Sequence, residues 1–300
     1  MEFVKQFPDD EACLQWLWRN RHAPDGEHAF CPRCEKVRTF RRYNTKRQRQ
    51  TFTCTSCSYQ LHPTSGTIFH KSSTSLQLWF YAMWLMTSTR CGISAKQLER
   101  ELGVTYKTAW RMFNLIRNRL MDQDYVEPLS GEVEVDETFI GGKPRESTRK
   151  EAAARGWSMQ QLHWDRMPIV FGAVERQGKI RATVIPNSRG HTVRDKVREY
   201  VLPESLIYTD EYFGYNKLGT SGYRHRRIKH SARVYVEGDT HTQTIDSFFG
   251  LLKNGIRCAH HGVSAKWLQG YCNEYAWRWN HRKDETAMFL TLLRRSAFDS

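Results

Sequence analysis

Residues 131–142 read GEVEVDETFIGG. Val133 and Val135 alternate with Glu134 and Asp136, a period of two that predicts a half-buried strand with both acids opposite the valines and Asp136 at its end. Downstream lie PIVFGAVE (168–175), a turn at Gln177-Gly178 and KIRATVIPN (179–187), all with strand character. LIYTD (206–210) sets Asp210 at the end of another apolar run. Helical spacing covers His191 to Val201, Thr242 to Ile256 and Ser264 to His281, the last with Leu268, Tyr271, Cys272, Tyr275 and Trp279 on one stripe. Strands mixed with helices predict an α/β domain over residues 126–300. The polar stretch KPRESTRKEAAARGWSMQQLHWDR (143–166) is expected to be a mobile loop between strands.

A lone strand-end aspartate is more often a turn residue or a cap. Two of them, at Asp136 and Asp210, are a common way to hold a metal over a sheet. In THTQTIDSFFGLLKNGI (240–256), Ile245, Phe248, Phe249, Leu252 and Ile256 make the core-facing stripe. Asp246 and Lys253, two turns apart, fall within about 20° of each other at its flank, and Gln243 leans the same way. On an arbitrary helix these would be an ordinary exposed acid and base; beside two strand-end aspartates they become candidates for the same site.

Upstream, Cys31-Pro-Arg-Cys34 and Cys54-Thr-Ser-Cys57 are two C-x2-C pairs separated by 19 residues, a spacing that lets four thiolates enclose one tetrahedral ion. Four sulfurs leave no open coordination position, so a structural Zn2+ is expected in a module spanning residues 1–64. Arg38, Arg41, Arg42 and Arg47 lie between the pairs against a single acid, Glu35, and are expected at phosphates. A second module, residues 65–125, is helical. In SAKQLERELGVTYKTAWRMFNLIRNRL (94–120), Ala95, Leu98 and Leu102 form one apolar face, Gly103 supplies a turn, and a second helix opens near Thr105. This is helix-turn-helix grammar, which would aim Tyr106, Lys107, Thr108 and Arg111 at DNA.

Composition agrees with a polyanionic partner: 46 Lys and Arg against 32 Asp and Glu give a formal charge of +14. The ten tryptophans and 13% aromatic content are enough to build cores and exclude a disordered basic tail. No run of about 18 apolar residues appears and the amino terminus lacks a signal peptide's charge order, so no membrane association and a cytoplasmic location are expected. The acid-free run YRHRRIKHSAR (223–233), with Arg224, Arg226, Arg227 and Lys229, is expected to track a nucleic-acid backbone near the acids.

Several stretches taken together resemble a known family. They are FPDDEACLQWLWRNR (7–21) before CPRC, then CTSC, VEVDETFIGGK (133–143), YTDEYFGY (208–215), HTQTIDSFFGLLK (241–253) and HHGVSAKWLQGYCNEYAWRWNHR (260–282). Over nearly its whole length the chain is similar to the zinc-ribbon transposases of bacterial insertion sequences, the ISXO-like group of DDE transposases. The resemblance implies an RNase H-like core with Asp136 and Asp210 as the first two catalytic carboxylates, a third member at Asp246 or Gln243, and Lys253 as a phosphate-binding partner. It also implies two Mg2+ or Mn2+ ions, double-stranded DNA as substrate at element ends and target, a homodimer or higher oligomer on DNA, and residence at the bacterial nucleoid. The family pattern usually carries Asn where this chain has Gln243 and Glu where it has Asp246. A DNA-binding regulator with a silent RNase H-like domain is the alternative expectation.

Overall fold

The structure, a computed structural model, describes residues 2–43, 51–89, 91–123, 126–141, 146–158, 167–228 and 242–298. Arg47 and Lys229 lie outside the described residues. The chain divides into two compact units, Met1–Leu120 with Asp284–Ser300, and Met121–Lys283.

In the first unit α1 (Glu2–Gln6) leads into α2 (Asp10–Arg21), whose start is capped by Asp9 accepting from the Ala12 amide at 2.8 Å. Four short antiparallel strands follow in the order β1 (His28–Cys31), β2 (Lys36–Arg42), β3 (Phe52–Cys54) and β4 (Gln60–Leu61). So small a sheet has little core of its own; Trp18 of α2, fully buried, supplies one by stacking on Phe52 at 4.1 Å. Next come α3 (Leu76–Ser88), α4 (Ala95–Leu102) and α5 (Tyr106–Leu115). Ser94 and Thr105 cap the starts of α4 and α5, and Gly103 takes the left-handed conformation (φ 64°) that ends α4.

The second unit carries a five-stranded sheet: β5 (Glu132–Phe139), β6 (Ile169–Glu175), β7 (Ile180–Ile185), β8 (Leu206–Thr209) and β9 (Arg224–Arg227), in the spatial order β7-β6-β5-β8-β9. β5, β6 and β7 form an antiparallel meander, while β8 and β9 run parallel to β5. One face packs Val133, Val135, Phe171 and Ile207 against α7 (Gly190–Tyr200) through Val193 and Val197. The other packs Val170, Val174 and Ala182 against α8 (Gln243–Cys258) and α9 (Leu268–Asn280).

Four expectations need correction. Both faces of the sheet are covered, so β5 is not half-buried and Glu134 is fully enclosed. Asp136 is not at the strand end, because antiparallel pairing with β6 carries β5 on to Phe139. Within 143–166, Glu146–Ala154 forms a helix, α6, supported by the i,i+4 pairs Glu146–Lys150 at 2.9 Å and Glu151–Arg155 at 2.8 Å and by its alanines. Finally α10 (Met288–Phe298) belongs to the first unit, where Phe289 meets the rings of Phe3 and Phe7, and not to the domain expected over 126–300.

Candidate active site

The register of the second sheet sets up the site. β5 pairs with β8 as Glu132 with Leu206, Val133 with Ile207 and Glu134 with Tyr208. Continued two residues, that register brings Asp136 level with Asp210, just where the parallel ladder ends. On its other side Asp136 pairs with Gly172 of β6. A Cβ at Gly172 would lie 2.7 Å from Ile245 Cδ1 and 3.0 Å from Phe249 Cζ, so the bare glycine backbone lets α8 rest directly on the sheet beside Asp136. Asp246 follows Ile245 on that helix.

Electrostatics report the result. Burial pushes the Asp136 carboxyl well above the usual carboxylate range, and the charges of Glu137, Asp210 and Asp246 push the same way against one backbone hydrogen bond. Lys253 is pulled below the usual lysine range by burial and by Arg257, while Asp136 and Asp246 act in the opposite direction. Asp136, Asp210, Asp246 and Lys253, drawn from three distant stretches, thus meet at one place. Gln243 lies exposed in the first turn of α8, and its carbonyl accepts from Ser247 Oγ at 2.7 Å. Among the described residues Cys31, Cys34, Cys54 and Cys57 are the one group of three or more such side chains whose ligand atoms all lie within 4.8 Å of one another; the three aspartates do not close to that spacing.

Two supports around the acids had no sequence signal of their own. Glu134, fully buried, accepts from the Thr244 amide (2.8 Å), the Ile245 amide (3.1 Å) and Thr244 Oγ1 (3.0 Å), capping the start of α8 from the sheet. Its charge is balanced by Arg176, whose Nε lies 3.1 Å from Glu134 and whose guanidinium covers the Tyr208 ring at 3.8 Å. The second support holds the Asp210 loop. Tyr215, wholly buried, donates to Glu137 Oε2; the Tyr212 amide donates to Asp210 Oδ1 at 2.9 Å, and Tyr212 Oη to the Ser188 carbonyl at 2.8 Å. Burial carries Glu137 up to about 7, against the Tyr215 hydrogen bond and with the Asp210 charge.

Among the described residues the basic positions separate into exposed and engaged. Arg224 and Arg226 are exposed on the edge strand β9, whereas Arg227 donates to the carbonyls of Glu211 (2.6 Å) and Tyr212 (3.1 Å) and so braces the Asp210 loop. In the first unit Arg38 and Arg41 are exposed, but Arg42 pairs with Glu11 at 3.2 Å and donates to the Thr51 carbonyl at 3.1 Å. Tyr106 and Lys107 are exposed at the start of α5 with Thr108 partly covered, and Arg111 donates to Ser72 Oγ at 2.9 Å.

The sulfurs of Cys31, Cys34, Cys54 and Cys57 all lie within 4.8 Å of one another, and none is in a disulfide. The two pairs repeat one turn: the Glu35 amide donates to the Cys31 carbonyl (2.8 Å) and the Ser58 amide to that of Cys54 (3.0 Å), with Glu35 and Ser58 at φ 54° and 62°. Left-handed backbone at non-glycine residues costs roughly 1–2 kcal/mol each, a cost a bound ion can offset. Burial works against the Cys54 thiolate, yet the Ser56 and Cys57 amides and neighbouring thiols outweigh it and lower that thiol, while burial and the same crowding of thiols raise Cys57, so the cluster's protons are shared unevenly. Four converging soft donors fit a structural zinc ion.

Fold and site together define a mixed α/β protein with a carboxylate cluster, flanked by a lysine, on its larger sheet. Comparison with known proteins places that class more narrowly. The model of the ISXO2-like transposase domain matches residues 128–280, which include every acid of the cluster. The chain is 27% identical over 283 residues, 92% of its length and 91% of the relative's, to an uncharacterized protein in transposable element ISH50 of Halobacterium salinarum. It is 30% identical over 103 residues, 34% of its length and 82% of the relative's, to an uncharacterized transposase-like protein of Haemophilus influenzae. The chain belongs to the ISXO2-like transposase family. Among the described residues no helix is long and apolar enough to cross a membrane.

Proposed function

We propose that this chain is a DDE-type transposase that binds the ends of an insertion sequence and cuts and joins DNA strands with Asp136, Asp210 and Asp246. The observation that carries the reading is the strand register that sets the half-buried Asp136 level with Asp210, with α8 resting on Gly172 beside it and the charges of Asp210 and Asp246 both reaching it. A meander of three strands followed by two parallel ones, in the order β7-β6-β5-β8-β9, supports an RNase H-like core. Three carboxylates, two of which raise the cost of ionising the third, Asp136, are a hard-oxygen set suited to Mg2+ or Mn2+. When bound, such ions supply a more acidic attacking oxygen and neutralise charge on phosphate and leaving oxygen. Asp136 holds the centre from the sheet, Asp210 and Asp246 close it from the loop and the helix, and Lys253 acts as a point charge on a phosphate next to the scissile bond. Asp246, whose charge reaches Asp136, is the third member in preference to the neutral Gln243.

The first unit supplies recognition. The four-cysteine cluster holds zinc in a ribbon that offers Arg38 and Arg41 to phosphates, and α4 and α5 act as a helix-turn-helix with Tyr106, Lys107 and Thr108 leading into a groove. The DNA is double-stranded, and joining two element ends requires at least a dimer. The test is strand cleavage and strand transfer on a duplex carrying the DNA that flanks the gene, with Mg2+ or Mn2+. Asp136→Ala and Asp210→Ala are expected to reduce both reactions to background while duplex binding stays within about twofold. Cleavage that persists in either variant removes that residue from the site; a wild type that binds but never cuts makes the chain a DNA-binding regulator.

A further inference from the structure

Next to the acids lies a recess that the chemistry above leaves unused. It has a volume of about 210 Å3 and is lined by Phe139, Ile256 and Val263 together with Lys253, Arg257 and His261, and no carboxylate lines it. At roughly 30 Å3 per water that space is far larger than an ion needs. It also falls below the roughly 300 Å3 at which drug-sized pockets begin. A single ring fits the range between. The turn on its lining is held in uncommon backbone, with His261 at φ 56° and Gly262 at φ 142°, shortly after the end of α8 at Cys258. Such conformations are costly at a non-glycine residue and persist where the surroundings impose them. Lys253 belongs to both places, since it lines the recess and feels the charges of Asp136 and Asp246. Arg257 stands near enough to depress Lys253, a crowding of like charges that an anion between them would relieve.

An apolar lining and two crowded cations in one recess match a ligand that is flat and apolar on one side and anionic on the other. We propose that the recess takes one unstacked nucleotide of the DNA strand held at the acids, its base against Phe139, Ile256 and Val263 and a flanking phosphate between Lys253 and Arg257. This rests on the strand-cleavage reading and names a subsite within it. Drawing a base out of the duplex stack is costly and packing it on Phe139 returns only part of that cost, so the site favours strand ends and frayed pairs, where unstacking is cheapest.

The test uses the full chain in magnesium-free buffer with a short fluorescent oligothymidylate as probe, and a blunt duplex in parallel. Val263→Trp fills the recess, and Arg257→Ala removes its exposed cation. The expected result is at least about tenfold weaker oligothymidylate binding for Val263→Trp. For Arg257→Ala the log–log salt slope should fall by about 0.7, the value of one single-strand phosphate contact. Duplex affinity should stay within about twofold for both. Unchanged oligothymidylate binding in both variants overturns the recess even if the wild type cuts DNA with Mg2+. Loss in both variants with a wild type that never cuts keeps the recess as a nucleotide site and sinks the cleavage reading alone. Should Val263→Trp fail to fold by circular dichroism, an unaltered affinity and slope in Arg257→Ala is enough to overturn it.

Discussion

Glu137 shows how the acid cluster is held against its own repulsion. Its neighbours are Asp136 along the strand, Asp210 across the ladder and Tyr215 below, and burial raises it from 4.5 to about 7. An acid whose folded pKa lies above its unfolded value favours the fold while neutral. That contribution is complete below about 4.5 and is lost as pH rises through about 7. His225, lowered to about 4 chiefly by burial, acts with the opposite sign as the unfolded chain's imidazole loses its proton around 6.5, and so offsets part of the fall at the lower end of the range, an offset that comparison with a Glu137 variant cancels. In metal-free protein the melting temperature of the second unit should therefore fall between pH 6.5 and 8, and Glu137→Gln should flatten that slope. Thermal denaturation followed across this window checks it; an identical slope in the variant would show that Glu137 is not the titrating group. None of this was readable from residues 131–142, where Glu137 is one more acid on a strand. The partner that steadies it, Tyr215, comes from a different strand's loop.

At the level of elements, α8 is the part on which the site depends most, and its anchorage is asymmetric. Apolar residues fasten its length, through Ile245, Phe248, Phe249 and Leu252, but its first amides rely on Glu134. Glu134→Ala would leave those amides uncapped and Arg176 half-stranded at 15% exposure beside Tyr208. Breaking a buried pair in this way costs about 3–5 kcal/mol. The expected outcome is faster amide exchange at Thr244 and Ile245 and a fall in the cleavage rate with duplex affinity kept. Unaltered exchange at those two amides would deny Glu134 its positioning role. Period-two alternation was enough to put Glu134 and Asp136 on one face, and period 3.6 was enough to find α8 and its stripe. What neither could reveal is that one acid of the pair caps a helix 110 residues away while the other faces charge, because capping across elements leaves no local pattern. The helix α6 was missed for the opposite reason: its strong local signal of alanines and i,i+4 charges was outweighed by the expectation that a polar insert is a loop.

On the scale of the whole molecule the chain's two ends meet in one unit. Cysteine spacing was sufficient to foresee that Cys31, Cys34, Cys54 and Cys57 come together in the front end. MFLTLLRRSAF (288–298) has equally clear helical periodicity, but periodicity names a buried face without naming what covers it. In the structure α10 buries Phe289, Leu292, Leu293 and Ala297 in the unit formed by residues 1–120. Three large apolar side chains at about 1.5–3 kcal/mol each contribute roughly 5–9 kcal/mol. That is of the same order as the 5–15 kcal/mol net stability of a typical domain. Ending the chain after Lys283 should therefore unfold α3 to α5 and remove duplex binding, although the deleted residues lie outside the span matched by the transposase family and far in sequence from the four clustered cysteines. The second unit, Met121–Lys283, keeps both faces of its sheet covered and should stay folded. Hydrogen exchange on the shortened chain separates the two: residues 76–115 are expected to lose protection while β5, β6 and β7 retain it. Protection preserved over α3 to α5 would mean that α10 is dispensable to the unit it packs in.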